Sequence, residues 1–398
     1  MSIIRIISFI ATAVLFFISS SIANSSDDQF KKDGNNGTVS CSTYCGKVKA
    51  DGTPEWGAKT GACVEAKNES TAKTVSCDTV PGLIQDGKQL TCFCAPDMSS
   101  AIGIPDITKE EIDKTVSWWA PVIKFHSQEE FYPSSVKFAL DHFYQVKMSK
   151  YDDGKPPSQQ FQLNEPTRLI SMEQEGAEQP TDDPIIRGQK DLIIKKGVPI
   201  YAFWIKKKTY VDIAYFVFYP YNLGKKINIG VTNIRLGNHV GDWEHITIRM
   251  IPDHPGFQGK RMNPNPSGLV PSQIYFSSHA DGTLKNWNDV LKSDEQNVIA
   301  YAADGSHGFW PSSGKHTYNS TPELSDYTDD GGLAWETKHF VESFSFTIAT
   351  PDAPLPWWLT DIKRWGNGRR GTAIAGQSPR EEGPTGPLDK VKTFDLCG

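Results

Sequence analysis

Apolar and polar residues alternate in short runs along most of the chain after residue 115. Phe344, Phe346 and Ile348 alternate with Ser343, Ser345 and Thr347, the period-two signature of a strand with one buried face. The runs Val122 to His126, Val136 to Phe143, Ile200 to Trp204, Asp242 to Met250, Gln273 to Ser277, Val298 to Ala302 and Phe340 to Ile348 also read as strands. Ile213 to Tyr219 is apolar throughout, which predicts a central strand. Pro220, Gly224, Pro252, Gly282, Gly305 and the pair Gly331 and Gly332 break the runs apart. One helix is predicted from Ile107 to Glu111 onward, with Thr108 as N-cap and Glu111 completing a capping box. No internal repeat is visible. The pattern predicts a mainly β chain: an antiparallel β-sandwich with long loops over residues 101–398.

The amino end follows a different pattern. Arg5 precedes an apolar run from Ile6 to Ile18, and Ser21-Ile22-Ala23 forms a small-residue cleavage site. Residues 1–23 therefore predict a signal peptide, and the run is too short to span a membrane. No later run approaches the roughly 18 apolar residues that a span needs, so the mature chain is expected to be soluble and secreted. The alternative is the lumen of the secretory pathway or the vacuole. Between residues 24 and 100 lie Cys41, Cys45, Cys63, Cys77, Cys92 and Cys94, six of the seven cysteines. Behind a signal peptide such a cluster predicts a small module held by three disulfides. Of the roughly 15 pairings that six cysteines allow, one follows from spacing. A helical turn carrying Cys41 and Cys45 could be joined to a strand carrying Cys92 and Cys94, leaving Cys63 with Cys77. This spacing resembles the cysteine-stabilised αβ scaffold of defensins. A plain spacer is the alternative, and Cys397 is left over as a free or intermolecular thiol. Asn36, Asn68 and Asn319 begin Asn-x-Ser/Thr sequons and are candidate glycosylation sites.

Composition narrows the partners. A net charge of −6 with no long basic block excludes the positive face that nucleic acid requires. The 33 glycines and 26 prolines fit many strands joined by tight turns.

The candidate chemistry lies in Gly237-Asn238-His239-Val240-Gly241-Asp242-Trp243-Glu244-His245. If a strand begins at Asp242, then Asp242, Glu244, Ile246, Ile248 and Met250 share one face, with the acids at its mouth. His239 would reach back toward them from the preceding glycine-bracketed loop. Two carboxylates this close require a cation, an arginine or a shared proton. Oxygen-rich ligation with imidazole suits calcium or magnesium, and His279, past the end of another strand, is a possible fourth ligand. A hydrogen-bonded cluster that only fixes a loop is the alternative. A second polar group surrounds His307, with Phe309, Trp310 and His316 nearby, and His307, Trp287, Phe309 and Trp310 are candidate ligand contacts. Ser306 and His307 are adjacent, so on a strand they point apart and form no catalytic dyad. No Gly-x-Ser-x-Gly elbow occurs and no catalytic residue is assigned.

The segments Trp119 to Ser127, Tyr132 to Val136, Phe218 to Gly224, Gly237 to His245 and Gly305 to His307 resemble the vacuolar protein sorting-associated protein 62 family over residues 115–390. The string of His239, Asp242, Trp243 and Glu244 is also similar to that of the necrosis- and ethylene-inducing peptide-like proteins, secreted β-sandwich cytolysins. In that family the positions matching His239, Asp242 and Glu244, with His279 as a fourth, hold a divalent cation, and sphingolipid head groups are bound with it. Asn222 stands where that family has an aspartate, and an amide oxygen still suits a hard cation. These resemblances imply a secreted, metal-dependent protein that binds a glycan or glycolipid on a membrane surface and is cytolytic or effector-like. The alternatives are a trafficking adaptor without chemistry, or a hydrolase with Asp242 or Glu244 as base to a metal-bound water. A non-enzymatic role is favoured.

Overall fold

The computed structural model describes residue 104 and residues 106–150, 166–207, 210–229, 232–279, 281–294, 296–320, 323–345, 355–371 and 380–393, with the backbone of short strands between 38 and 92. The strands that frame the site are, in chain order, β1 (Val122–Phe125), β2 (Ile200–Lys206), β3 (Val211–Asn222), β4 (Lys225–Ile229), β5 (Thr232–Leu236), β6 (His239–Pro252) and β7 (Leu269–Ser278). They continue with β8 (Asp281–Asn286), β9 (Asn297–Ala302), β10 (Phe309–Trp310), β11 (Gly314–Ser320), β12 (Glu323–Thr328), β13 (Ala334–Glu336) and β14 (Val341–Ser345).

A six-stranded sheet runs β8-β7-β6-β3-β2-β14, and a second sheet contains β9, β1 and β13 with β10 paired to β9. β4 with β5 and β11 with β12 form separate hairpins. The long apolar run is β3, which lies between β6 and β2 and is buried along its whole length. Its two faces have different neighbours. Ile213, Tyr215 and Val217 join Ile246, Ile248 and Met250 of β6 in one core with Ile123, Phe125, Ala300, Ala302 and Trp335 of the second sheet. Phe218 on the other face meets Trp243 and Trp365 with ring centroids 5.0 and 5.2 Å away, and Trp358 stacks on Trp243. A strand packed on both faces has no solvent side, which explains the lack of alternation.

Two expectations are corrected. The sheets are mixed, because β14 pairs parallel with β2, and β9 parallel with β1. Both parallel partners are far apart in sequence, so a long crossover is available, and alternation along each strand carries no information on partner direction. Val136 to Phe143, expected as a strand, holds the helix Val136–His142. Ser135 caps it by accepting the Phe138 N–H at 3.0 Å, and the buried Val136, Ala139 and Phe143 follow helical spacing. The capping box at Thr108 and Glu111 is present on the helix Lys109–Trp119.

In the amino-terminal unit Thr38–Val39 pairs with Cys63–Val64, and Thr91–Cys92 pairs with both Tyr44–Val48 and Val75–Ser76. Cys45 is therefore on a strand, in place of the predicted helical turn. The signal peptide, Cys41, Cys77, Cys94, Cys397, Asn36 and Asn68 lie outside the described residues, as do the side chains of Cys45, Cys63, Cys92 and Asn319. Among the described residues no helix is long and apolar enough to cross a membrane.

Candidate functional site

The site forms where β3 and β6 meet the loop that precedes β10. β6 begins at His239, earlier than expected, so His239 is a strand residue opposite Asn222 while Asp242 lies opposite Tyr219. Gly241 makes this path possible. It has φ +68°, and a Cβ there would come within 1.9 Å of the Trp365 carbonyl oxygen, so only glycine fits. His239 Nδ1 donates to the Gly241 carbonyl at 2.6 Å. Ile246, Ile248 and Met250 follow the two acids into the core, as alternation predicted.

Asp242 lies in a sealed cluster. Its Oδ2 accepts from Asn222 Nδ2 at 3.0 Å and from His307 Nδ1 at 3.1 Å. His307 Nε2 lies 3.7 Å from Glu129 Oε1, and the ring stacks flat on Tyr219 at 3.8 Å. Glu129 is held by the N–H groups of Glu130, Phe131 and Gly305. Asn222, Asp242, Glu129, Tyr219 and His307 are all buried. Burial opposes charge on His307, but the flanking Glu129 and Asp242 carboxylates outweigh it and raise its pKa to about 9. His307 is thus an imidazolium at neutral pH. Burial also opposes ionisation of Glu129, yet the charge of His307 keeps its pKa lowered. Burial, then the charges of Glu129, Asp242 and Glu244, push the Tyr219 phenol well above its usual range.

Ser306 links this cluster to a second, more open one. Its carbonyl accepts from Asn222 at 3.2 Å, and its hydroxyl donates to Asp326 Oδ1 of β12 at 2.7 Å. Asp326 is buried and gathers three further groups: Lys225 Nζ at 2.7 Å, His279 Nε2 at 2.8 Å and Trp310 Nε1 at 2.9 Å. Lys225 also lies against His279 Nε2 and stands 3.6 Å from the centroid of the Tyr318 ring. The rings pair off. His279 stacks on Tyr318 at 4.3 Å and Trp310 on His316 at 4.4 Å. His279 keeps 28% of its side chain exposed, and Trp310, His316 and Tyr318 are half-buried, so this cluster faces solvent. Burial opposes ionisation of Asp326, but His279 and Lys225 hold its pKa far below the usual carboxylate range. Burial lowers the Lys225 pKa to about 8, against the pull of Asp326 and Glu244. Glu244 itself accepts the Ser277 hydroxyl at 2.6 Å.

The structure thus joins Asn222, Asp242 and His307 in one cluster and His279 and Trp310 in the next, with Glu244 bonded to Ser277 and near Lys225. Trp287 is not part of either: it is 2% exposed and packs edge-on to Trp119 in the core, which corrects its expected place at a ligand surface. His307, expected as a ligand contact, is fully buried. Glu129, Tyr219, Lys225, Asp326 and Tyr318 went unnoticed in the sequence. Lys225 directly follows the Phe218 to Gly224 motif, the one signal that could have found it. A cleft of about 980 Å³ lined by Lys109, Asp113, Trp118, Lys260 and Lys338 contains none of these residues.

Two of the expected cation ligands, Asn222 and His279, spend their polar atoms on neighbours within the protein. The Asn222 amide nitrogen points at Asp242 while its oxygen accepts the Gly224 N–H at 2.7 Å. His279 Nε2 lies against Asp326 and Lys225. Among the described residues no group of three or more His, Cys, Asp or Glu side chains is arranged to hold a metal.

A family model described as vacuolar protein sorting-associated protein 62 matches residues 61–366. The protein of that name from Saccharomyces cerevisiae is 24% identical over 326 residues, covering 70% of this chain and 66% of the relative. The yeast putative vacuolar protein sorting-associated protein TDA6 is 27% identical over 231 residues, covering 48% of this chain and 44% of the relative. The chain thus spans under two thirds of the length of either relative. Among solved structures, the non-toxic HaNLP3 protein aligns at 12% identity with a TM-score of 0.31, covering 73% of this chain and 94% of that one. NLPPya in complex with mannosamine aligns at 9% identity with a TM-score of 0.29, covering 70% and 90%.

Proposed function

The chain belongs to the vacuolar protein sorting-associated protein 62 family, and we propose that it is a non-enzymatic binding protein that holds a glycan head group. The contact surface is the platform of Lys225, His279, Trp310, His316 and Tyr318. The observation that carries this reading is the buried Asp326 carboxylate, which fixes Lys225, His279 and Trp310 at once. A sugar ring offers an apolar C–H face and a rim of hydroxyls. Rings already stacked and held by hydrogen bonds lose little conformational freedom on meeting such a ligand, and Lys225 and His279 supply polar groups beside them. The acid nearest the predicted metal motif, Asp242, is sealed from substrate, which favours binding over hydrolysis.

The predicted signal peptide and sequons support action in the secretory lumen, the vacuole or outside the cell, where glycolipids present such head groups. The test is binding of the mature chain to a glycan array and to glycolipid vesicles. Trp310→Ala and Tyr318→Ala are each expected to weaken binding by roughly tenfold, about 1.4 kcal/mol, with little change in melting temperature. Absence of binding across both formats, or binding untouched by both substitutions, would overturn the reading. A protein partner captured equally well by the double variant would instead support the adaptor alternative. Dye release from the same vesicles tests whether binding extends to membrane damage.

A further inference from the structure

The acids at this end of the sheet need positive charge, and the fold supplies it from within. Asp242, Glu244, Glu129 and Asp326 are all buried, a grouping that self-repulsion would scatter without compensation. On the sealed side the compensation is His307, between Glu129 and Asp242. On the open side it is Lys225. Its side chain is only 10% exposed, its Nζ lies 2.7 Å from Asp326 Oδ1, and Glu244 adds to the attraction. N–H and O–H groups meet the remaining lone pairs, from Ser277 on Glu244, from Ser306 and Trp310 on Asp326, and from backbone amides on Glu129.

We propose that Lys225 is the built-in counter-cation of this site, so that the platform is assembled with no divalent metal ion. The position of Lys225 carries the inference. It follows Gly224, whose φ of +68° turns the chain out of β3, and a Cβ on Gly224 would come within 2.2 Å of the Leu236 carbonyl oxygen at the end of β5. That close approach of the β4–β5 hairpin ends fixes the backbone from which Lys225 reaches Asp326. The ammonium is then held against the Tyr318 ring. A lysine is permanently tethered, whereas an ion would dissociate in chelator. Oxygen donors satisfied by an ammonium and by N–H groups also leave no gain for a hard cation.

The inference concerns the same site as the proposed glycan binding but does not depend on the ligand, so metal ions alone are the probe. Calcium, magnesium and manganese are titrated into the mature chain, followed by calorimetry and by melting temperature with and without EDTA. The wild-type chain is expected to show no binding heat and a melting temperature that neither millimolar ion nor EDTA moves by more than a degree. Lys225→Met keeps the stem and removes the charge. That variant is expected to gain an ion-dependent rise in melting temperature of several degrees, as Asp326 and Glu244 recruit the cation they have lost. Sub-millimolar ion binding by the wild-type chain, or a fall in its melting temperature with EDTA, would overturn the proposal. So would a Lys225→Met chain that folds and ignores all three ions. If Lys225→Met does not fold, the wild-type titration alone decides. A chain that ignores metal yet binds no glycan would leave this inference standing and sink only the functional reading.

Discussion

Two clusters of acids and cations lie on either side of Ser306, and they differ in how far water reaches them. Asp242 and Glu129 enclose a fully buried His307, while Asp326 holds Lys225 and the partly exposed His279 and Trp310. The chemistry is alike and the consequences differ. In the sealed cluster each charge has given up water, so its partner is indispensable and the group acts as a keystone joining β3, β6 and the two loops. In the open cluster the acid is buried but His279 and Trp310 keep part of their surface in solvent, so the acid orients groups that remain available to a ligand. A single sequence motif therefore serves two ends: Asp242 belongs to the keystone, while Glu244, two residues on, faces the charge of Lys225.

The contrast breaks most sharply at His307. Replacing it by alanine leaves Glu129 and Asp242 buried without their cation, and the cost is expected to be about 3–5 kcal/mol, as for other broken buried ion pairs. Urea unfolding measures it. A loss under about 1 kcal/mol, the range of exposed pairs, would show that the cluster is not a keystone.

A titration sharpens the same point. The pKa of His307 is raised to about 9 in the fold, above an unfolded value of about 6.5. Its contribution is therefore fully present below about pH 6.5 and is lost as pH rises through about 9. Lys225 has the opposite sign. Its pKa is lowered to about 8 in the fold, so the folded state gains relative stability as pH rises from about 8 to the unfolded lysine value near 10.4. The net decline is expected mainly between pH 6.5 and 8 and to reach about 2 kcal/mol, at roughly 1.4 kcal/mol per unit. The same pH series with His307→Gln should be flatter over that window. Parallel curves for the two proteins would remove His307 as the titrating group.

How much of this was legible in the sequence depends on whether the signal was local. The central position of β3 followed from an unbroken apolar run, and the shared face of Asp242, Ile246 and Met250 from period-two spacing, both properties of one strand. The helix Val136–His142 was misread because a short apolar run fits either period, and Ser135 decided it as N-cap. Strand direction was illegible, since β2 and β14 are neighbours only in space. The site was half legible for the same reason. Asp242 and His307 stood out in glycine-rich strings. Glu129, between two of the family-like motifs, and Asp326, in a segment that no motif marks, reach His307 and Lys225 only through the fold. The metal expectation rested on three residues at suggestive spacing. That spacing cannot show that a lysine reaches into the same end of the sheet.

The smallest effect on stability, and the finest test of the contrast, is expected at Trp310. Its Nε1 donates to Asp326 at 2.9 Å, and its ring stacks on His316. Trp310→Phe removes the hydrogen bond and keeps a ring in place. Asp326 retains Lys225, His279 and Ser306, so its charge stays compensated. The expected loss is about 1 kcal/mol or less, the usual net value of one hydrogen bond. Ligand affinity should fall further than stability, by several-fold on the same glycan, because the freed ring no longer holds one orientation. If Trp310→Phe destabilises the chain as much as His307→Ala does, the open cluster is a structural support like the sealed one. In that case the platform loses its claim to be a binding surface.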